Sequence, residues 1–357
     1  MRFVSVDNLK AGMIAGKPLF GDSGHILIQA GTTITEGFIN KLKAMMYNGL
    51  YIDDAFSEGI EIESVVSHET RKRTAVLMHH LRGSAMKGNS NFFQSNMREI
   101  TNVLNQMIDE IVKSSNSLVN IIDMKDFDSY TYQHSVNVCV LSCVIGLEYD
   151  MPRTRLNNLA IAAILHDIGK IFIDIDIINK PGKLTEEEMD IMKTHSSIGI
   201  EKLSLNKFLQ YSVTSAILQH HERYDGSGYP FGKKGEEIPT EAQIIAMADV
   251  YDAITSKRAY ALPIAPPKAY EYITGNSGIA FNPELIEIFA RKIAPFPLGI
   301  QVRLSNGLTG IVCRNYEDNL LRPLIKLMPA RENEEPRFLD MKNDTDSYNI
   351  IIENIVM

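Results

Sequence analysis

The run "IIAMADVYDA", Ile244 to Ala253, sets a carboxylate, Asp249, inside a strongly apolar helical pattern. A helix of that composition belongs in a core, where a lone carboxylate is expensive to bury, so Asp249 must be paired or bound to a cation. A salt bridge would satisfy it, and so would a metal. Either way the partner has to arrive from another part of the chain, which restricts the fold. A second stretch raises the same choice. "QHHERYDGSGYPFG", Gln219 to Gly232, places two adjacent histidines before a loop with three glycines, in a chain that has nine histidines in all. It reads either as a helix end followed by a turn or as a metal site with a substrate-facing loop.

The chain has 357 residues, 45% of them apolar and 22% charged, so it can build at least one sizeable core and is not disordered. A net charge of −8 excludes a surface built for nonspecific contact with DNA, RNA or anionic lipid, although a bound metal can still reverse the field locally for an anionic substrate. Cys139, Cys143 and Cys313 form no Cys-x-x-Cys pair and read as reduced thiols of a cytoplasmic protein. The opening "MRFVSVDNLKAGMIAGKPLF" lacks the pattern of a signal peptide. The most apolar run, "VNVCVLSCVIGL", is too short for a bilayer and reads as a buried helix.

Periodicity divides the chain into parts. Residues 1–62 read as a small α/β domain, with short strands at "RFVSV", "HILIQAG" and "GLYID" and one amphipathic helix in "TEGFINKLKAMMYNG". From about Val65 to Lys292 the pattern is helical, and 63–125 form a connecting region. There Phe93, Met97, Ile100, Leu104, Met107 and Ile111 alternate spacings of four and three. That seam suits either packing within its own domain or a dimerising relay helix. Thr185 with Glu188, and Asn282 before Pro283, mark helix starts. Residues 295–357 read as a β-rich tail, with a hairpin at Asn306-Gly307. The fold class is therefore mainly α, a helical bundle between a small N-terminal α/β domain and a small C-terminal β-rich tail.

His134, His166, Asp167, His195, His220, His221 and Asp249 all fall in the helical middle, on several separate segments. Imidazole and carboxylate ligands without thiolate suit Fe, Mn or Zn, and two metals about 3.5–4 Å apart need a carboxylate able to bridge. Lys170 stands three residues past Asp167 and can hold a phosphate oxygen. The set predicts metal-assisted hydrolysis of a phosphate ester. Asp225 and Asp252 are expected to orient histidines through their distal N–H, with a plain loop role equally open for Asp225. Glu222 reads equally as a surface charge.

"HDIGK" at His166 to Lys170, "HHERYDGSGYP" at His220 to Pro230 and "ADVYDAITSKRAY" at Ala248 to Tyr260 resemble the HD-GYP family of HD-superfamily phosphohydrolases, over about Ser129 to Ala290. The resemblance implies that residues 126–294 are the catalytic domain of a cyclic di-GMP phosphodiesterase. It implies one ion on His134, His166 and Asp249, another on His195, His220 and His221, and Asp167 bridging. A hydroxide between the ions would open cyclic di-GMP to linear pGpG, and on to GMP in some members. Lys170 would steady the scissile phosphate and Arg258 would hold a phosphate or a guanine edge, while Gly226, Gly228, Tyr229 and Pro230 form the loop at the mouth.

Two positions depart from the family pattern. Tyr130 stands where some members carry a third-metal glutamate, so two divalent ions, Fe or Mn, are expected and no third. Ala261 stands where many carry a basic residue, which lowers the grip on substrate unless Lys257 or Lys268 compensates. The alternatives are a nucleotide-binding adaptor with little turnover, or the same chemistry on another cyclic dinucleotide such as 3′,3′-cGAMP. Expected partners are the cyclic dinucleotide, a second copy in a homodimer and other signalling proteins, with no nucleic-acid polymer and no membrane.

Overall fold

The computed structural model describes residues 1–21, 26–45, 47–87, 90–115, 117–122, 130–202, 207, 209–256, 263–328 and 336–356, with the backbone alone for 90–92 and 130–132. Lys257, Arg258 and Ala261 lie outside the described residues, as does the Tyr130 side chain.

Short alternating runs at the N-terminus pair across turns. Strands β1 (Arg2–Ser5), β2 (Ile14–Ala15), β3 (Leu19–Phe20), β4 (Ile26–Ile28) and β5 (Gly49–Asp53) form two antiparallel sheets, β1-β5-β2 and β3-β4. Helix α1 (Glu36–Ala44) starts where the Thr35 hydroxyl accepts the Phe38 N–H, and its Ile39 and Leu42 share a small core with Leu19, Ile28, Leu50 and Ile52.

The middle is a helical bundle: α2 (His68–Met86), α3 (Ser90–Lys113), α4 (Tyr130–Glu148), α5 (Arg153–Leu165), α6 (Ile175–Ile178), α7 (Glu186–Lys193), α8 (His195–Lys202), α9 (Tyr211–Gln219), α10 (Thr240–Thr255), α11 (Pro266–Gly275) and α12 (Pro283–Lys292). Helix α4 is buried from Gln133 to Gly146 because it is surrounded; α2, α3, α5, α10 and α12 all pack on it, and Cys139 and Cys143 are ordinary core residues. Among the described residues no helix is long and apolar enough to cross a membrane. The α3 seam from Phe93 to Ile111 is buried against α2, α4 and α5, so its apolar stripe serves its own domain. Thr185 and Glu188 close a reciprocal cap on α7, and Asn282 caps α12.

Strands β6 (Gln301–Leu304), β7 (Thr309–Arg314), β8 (Leu324–Leu327), β9 (Arg337–Asp340) and β10 (Ile352–Ile355) make one antiparallel sheet in the order β10-β6-β7-β8-β9. The β6–β7 hairpin turns at Asn306-Gly307, where Gly307 takes φ +82°. Val302, Leu304, Ile311, Val312 and Ile325 of this sheet continue the core of the bundle. The two ends of the chain also meet: Phe3 N–H donates to the Gly299 carbonyl (2.9 Å), and the Lys326 ammonium donates to the Glu58 carbonyl (2.9 Å).

One close approach positions the chemistry. The 3₁₀ turn Ile168–Phe172 lies directly on α8, with Gly169 against the His195 backbone and Gly199 against the Gly169 backbone. A Cβ on Gly169 would overlap the His195 carbonyl, and one on Gly199 would sit 2.8 Å from the Gly169 nitrogen. Only glycine lets these backbones touch, and the contact carries Asp167 to His195. Gly169→Ala should lower the denaturation midpoint by the equivalent of about 1–3 kcal/mol at unchanged m-value, the usual cost of forcing volume into a packed core.

Candidate metal centre

Three histidines are aimed by the same local device. His166 and His220 cap the C-termini of α5 and α9, and His195 follows the last turn of α7. Helix ends leave carbonyls without intrahelical partners. Each ring folds back onto the carbonyl three residues earlier: His166 Nδ1 on Ala163 (2.7 Å), His195 Nδ1 on Met192 (2.6 Å) and His220 Nδ1 on Ile217 (2.6 Å). A carbonyl can only accept, so Nδ1 carries the proton in all three, and each Nε2 lone pair faces inward.

His134 is aimed by side chains instead. Asp249 and Asp252 are three residues apart on one face of α10, and the ring lies between them. Nδ1 donates to Asp252 Oδ2 (2.8 Å), while Nε2 is 3.1 Å from Asp249 Oδ1. Behind Asp252, Asn137 Nδ2 donates to Oδ1 (2.9 Å), and Gln133 Nε2 donates to Asn137 Oδ1 (2.7 Å). Asp252 thus contacts a histidine through its ring N–H.

Two groups of donors result. His195, His220 and His221 form one, and His134, His166 and Asp167 form the other, with the candidate ligand atoms of each group within 4.8 Å of one another. Asp249 joins the second through His134. Asp167 lies between the groups: Oδ1 is 3.5 Å from His195 Nε2, and Oδ2 is 3.4 Å from His166 Nε2 and 3.9 Å from His134 Nε2. Lys170 reaches the same carboxylate, Nζ to Oδ2 at 2.6 Å. All seven residues expected around the ions therefore converge, with Lys170 at their edge.

The donor chemistry fits cations. His195 Nε2 is 3.5 Å from His220 Nε2 and 3.2 Å from His221 Nε2, and the first of these contacts sets two lone pairs against each other. His166 Nε2 and Asp167 Oδ1 are buried and have no hydrogen-bond partner among the described residues. Unpartnered polar atoms of this kind are costly in a core unless something positive sits among them. The charges agree. Burial lowers the pKa of His195 and His220, and that of His221 to about 3, so these rings are neutral near pH 7 and free to ligate. Burial also works against His134, but its hydrogen bonds to Asp249 and Asp252 outweigh that and push it up to about 9. Burial would raise Asp167, yet Lys170, His166 and His195 hold it well below the usual carboxylate range.

The loop after His221 closes one side. Tyr229 stacks on the His221 ring, with centroids 4.8 Å apart and planes at 25°. Gly228 lies against the backbone of His221, Glu222 and Arg223, where a Cβ has no room, and Gly226 takes φ +84° to make the turn. The Tyr229-Pro230 bond is cis, and Pro230 is exposed. Asp225 meets no histidine among its described partners. Its carboxylate accepts the Ser227 N–H (2.9 Å) and hydroxyl (2.7 Å) in the exposed turn, the loop role its neighbours Gly226 and Ser227 favour.

Glu222 is the residue sequence reasoning undervalued. It is 3% exposed and accepts Phe231 N–H (2.7 Å) and Lys233 N–H (3.1 Å), tying both ends of the loop together. Nothing in a local reading of "HHERYDG" separates it from a surface charge, because its partners come nine and eleven residues later. Lys268 is exposed on α11 and shows no described contact with the centre.

Comparison with known proteins gives a consistent pattern. The HD-domain family model matches residues 116–285. A cyclic di-GMP phosphodiesterase of Pseudomonas aeruginosa is 35% identical over 234 residues, covering 64% of this chain and 56% of that protein. A cyclic di-GMP phosphodiesterase of Thermotoga maritima is 34% identical over 67% of this chain and 65% of its own length. The cyclic di-GMP phosphodiesterase response regulator RpfG of Xanthomonas campestris pv. campestris is 48% identical over 42% of this chain and 41% of its own length. The chain thus spans between 41% and 65% of the length of these relatives.

Glu222→Gln keeps the shape but leaves one acceptor oxygen for the two loop amides. One of the Phe231 and Lys233 amides should exchange with solvent about ten-fold faster or more, as expected for losing a charge-assisted bond of about 1.5–3 kcal/mol, read by hydrogen exchange.

Proposed function

We propose, from the HD-domain match and the similarity to cyclic di-GMP phosphodiesterases, that the chain is a member of the HD-GYP family and a metal-dependent phosphodiesterase that opens cyclic di-GMP to linear pGpG. The observation that carries the proposal is the pair of histidine groups with inward-facing lone pairs, one carboxylate between them and one lysine at its edge. His134, His166 and Asp249 would hold one ion, His195, His220 and His221 the other, and Asp167 both; Fe or Mn suits such donors. Ions so held supply Lewis acidity to a phosphoryl oxygen and lower the pKa of water towards neutrality.

The chain's own residues do the rest. His166, His195 and His220 are locked in one tautomer by backbone carbonyls, so their lone pairs are presented without reorganisation. Lys170 stands at the open edge of the cluster, with 35% of its side chain exposed, where a phosphodiester can arrive. Once Asp167 is committed to cations, the Lys170 ammonium is available to a non-bridging phosphate oxygen. Tyr229, held on His221, walls off that approach from bulk water, and Gly226, Gly228 and Pro230 shape its rim. Arg258 is assigned a phosphate or guanine edge by its place in the family motif. Residues 126–294 would carry the chemistry, with 1–62 and 295–357 regulating it or pairing it with a second copy.

Purified protein loaded anaerobically with Fe²⁺ or Mn²⁺ should convert cyclic di-GMP to pGpG, followed by chromatography. Nucleotide binding without turnover would instead indicate an adaptor, and a higher kcat/KM for 3′,3′-cGAMP in competition would reassign the substrate. Chelation should abolish turnover, and Mn²⁺ or Fe²⁺ should restore it. Lys170→Ala should lower kcat by about 10²–10³-fold while both ions are retained, the scale set by removing one preorganised donor from developing charge.

A further inference from the structure

We propose that Asn137 is a positioning residue for one half of the metal centre, acting through Asp252 on His134. The inference rests on the reading of His134 as a ligand. It adds a residue on α4 that touches neither ion nor substrate, yet controls how firmly one ion is held.

The geometry is a buried chain of four side chains. Gln133 Nε2 donates to Asn137 Oδ1 (2.7 Å), Asn137 Nδ2 donates to Asp252 Oδ1 (2.9 Å), and Asp252 Oδ2 accepts from His134 Nδ1 (2.8 Å). Gln133, Asn137 and Asp252 are 5%, 2% and 0% exposed, so water is a poor substitute for any link. The direction of the Asn137 amide is fixed by chemistry. A carboxylate can only accept, so the NH₂ faces Asp252 and the carbonyl faces the Gln133 donor. With Oδ1 held by Asn137, the carboxylate is pinned in plane, and Oδ2 is aimed at the imidazole. His134 then has Nδ1 engaged and Nε2 directed at Asp249.

Helix spacing makes this possible. His134 and Asn137 are three residues apart on α4, and Asp249 and Asp252 are three apart on α10, so each helix offers one pair to the other. Among the described residues no chain of side-chain hydrogen bonds of this kind serves the other group. His195 and His220 are oriented by backbone carbonyls, which no side-chain substitution removes. Loss of Asn137 should therefore weaken the two ions unequally, and a residue needed only for folding would not discriminate between them.

The test uses the full chain and Mn²⁺ alone. Asn137→Leu keeps the volume and removes the donor; Asn137→Ser leaves a smaller, hydratable gap should the leucine variant fail to fold. Bound Mn²⁺ is counted by electron paramagnetic resonance against increasing chelator, with thermal melting of each metal-free variant alongside. The expected result is one ion held as in the parent and the other weakened about 10–100-fold in Asn137→Leu, the usual scale for partners of a ligating histidine, with a smaller loss at the same ion in Asn137→Ser. Two ions held as in the parent, or both weakened in step with a falling melting temperature, would overturn the proposal. A parent chain that binds no Mn²⁺ would sink the ligand assignment itself, which is a separate result.

Discussion

Two imidazole nitrogens that both present lone pairs are not stable neighbours in a dry core, and His195 and His220 hold theirs 3.5 Å apart. The remainder of the centre makes sense as a consequence. The backbone carbonyls that take the Nδ1 protons leave nothing at Nε2 but acceptor character. Asp167 and Asp249 add negative charge to the same small volume. A cluster of acceptors this dense, wrapped in an apolar bundle, is complementary to divalent cations rather than to another protein group.

The bundle assembles this cluster by two routes that differ in robustness. Helix ends deliver His166, His195 and His220, and each ring is oriented by the carbonyl of its own segment. That part of the centre is nearly built once the helices exist. His134 comes from the interior of α4, where no orphan carbonyl is available, and depends on α10 for Asp249 and Asp252. The contact between Gly169 and α8 joins the two halves, because Asp167 can lie between them only when the turn that carries it rests on the His195 backbone.

The terminal elements frame this bundle. The C-terminal sheet extends the bundle's own core, and the N-terminal strands meet it through Phe3 and Lys326, while most of their apolar residues form a small core of their own. The first strand and the last sheet are thereby braced on each other.

The sequence by itself determined the candidate ligand types, their helical setting and the loop that follows His221. Local rules suffice for these: an aspartate in an apolar helix needs a partner, paired histidines before a glycine turn suggest ligation, and the spacings of helices and hairpins are short-range. The helix caps at Thr185 and Asn282 and the hairpin at Asn306-Gly307 were legible for the same reason. The tertiary structure decided what depends on segments far apart in the chain. It placed Asp167 between the two groups, set Asn137 behind Asp252 and buried Glu222 beneath the loop after His221. Each outcome is a hydrogen bond or close contact whose partner lies outside the local pattern, and helix and turn rules carry no information about which distant group will arrive.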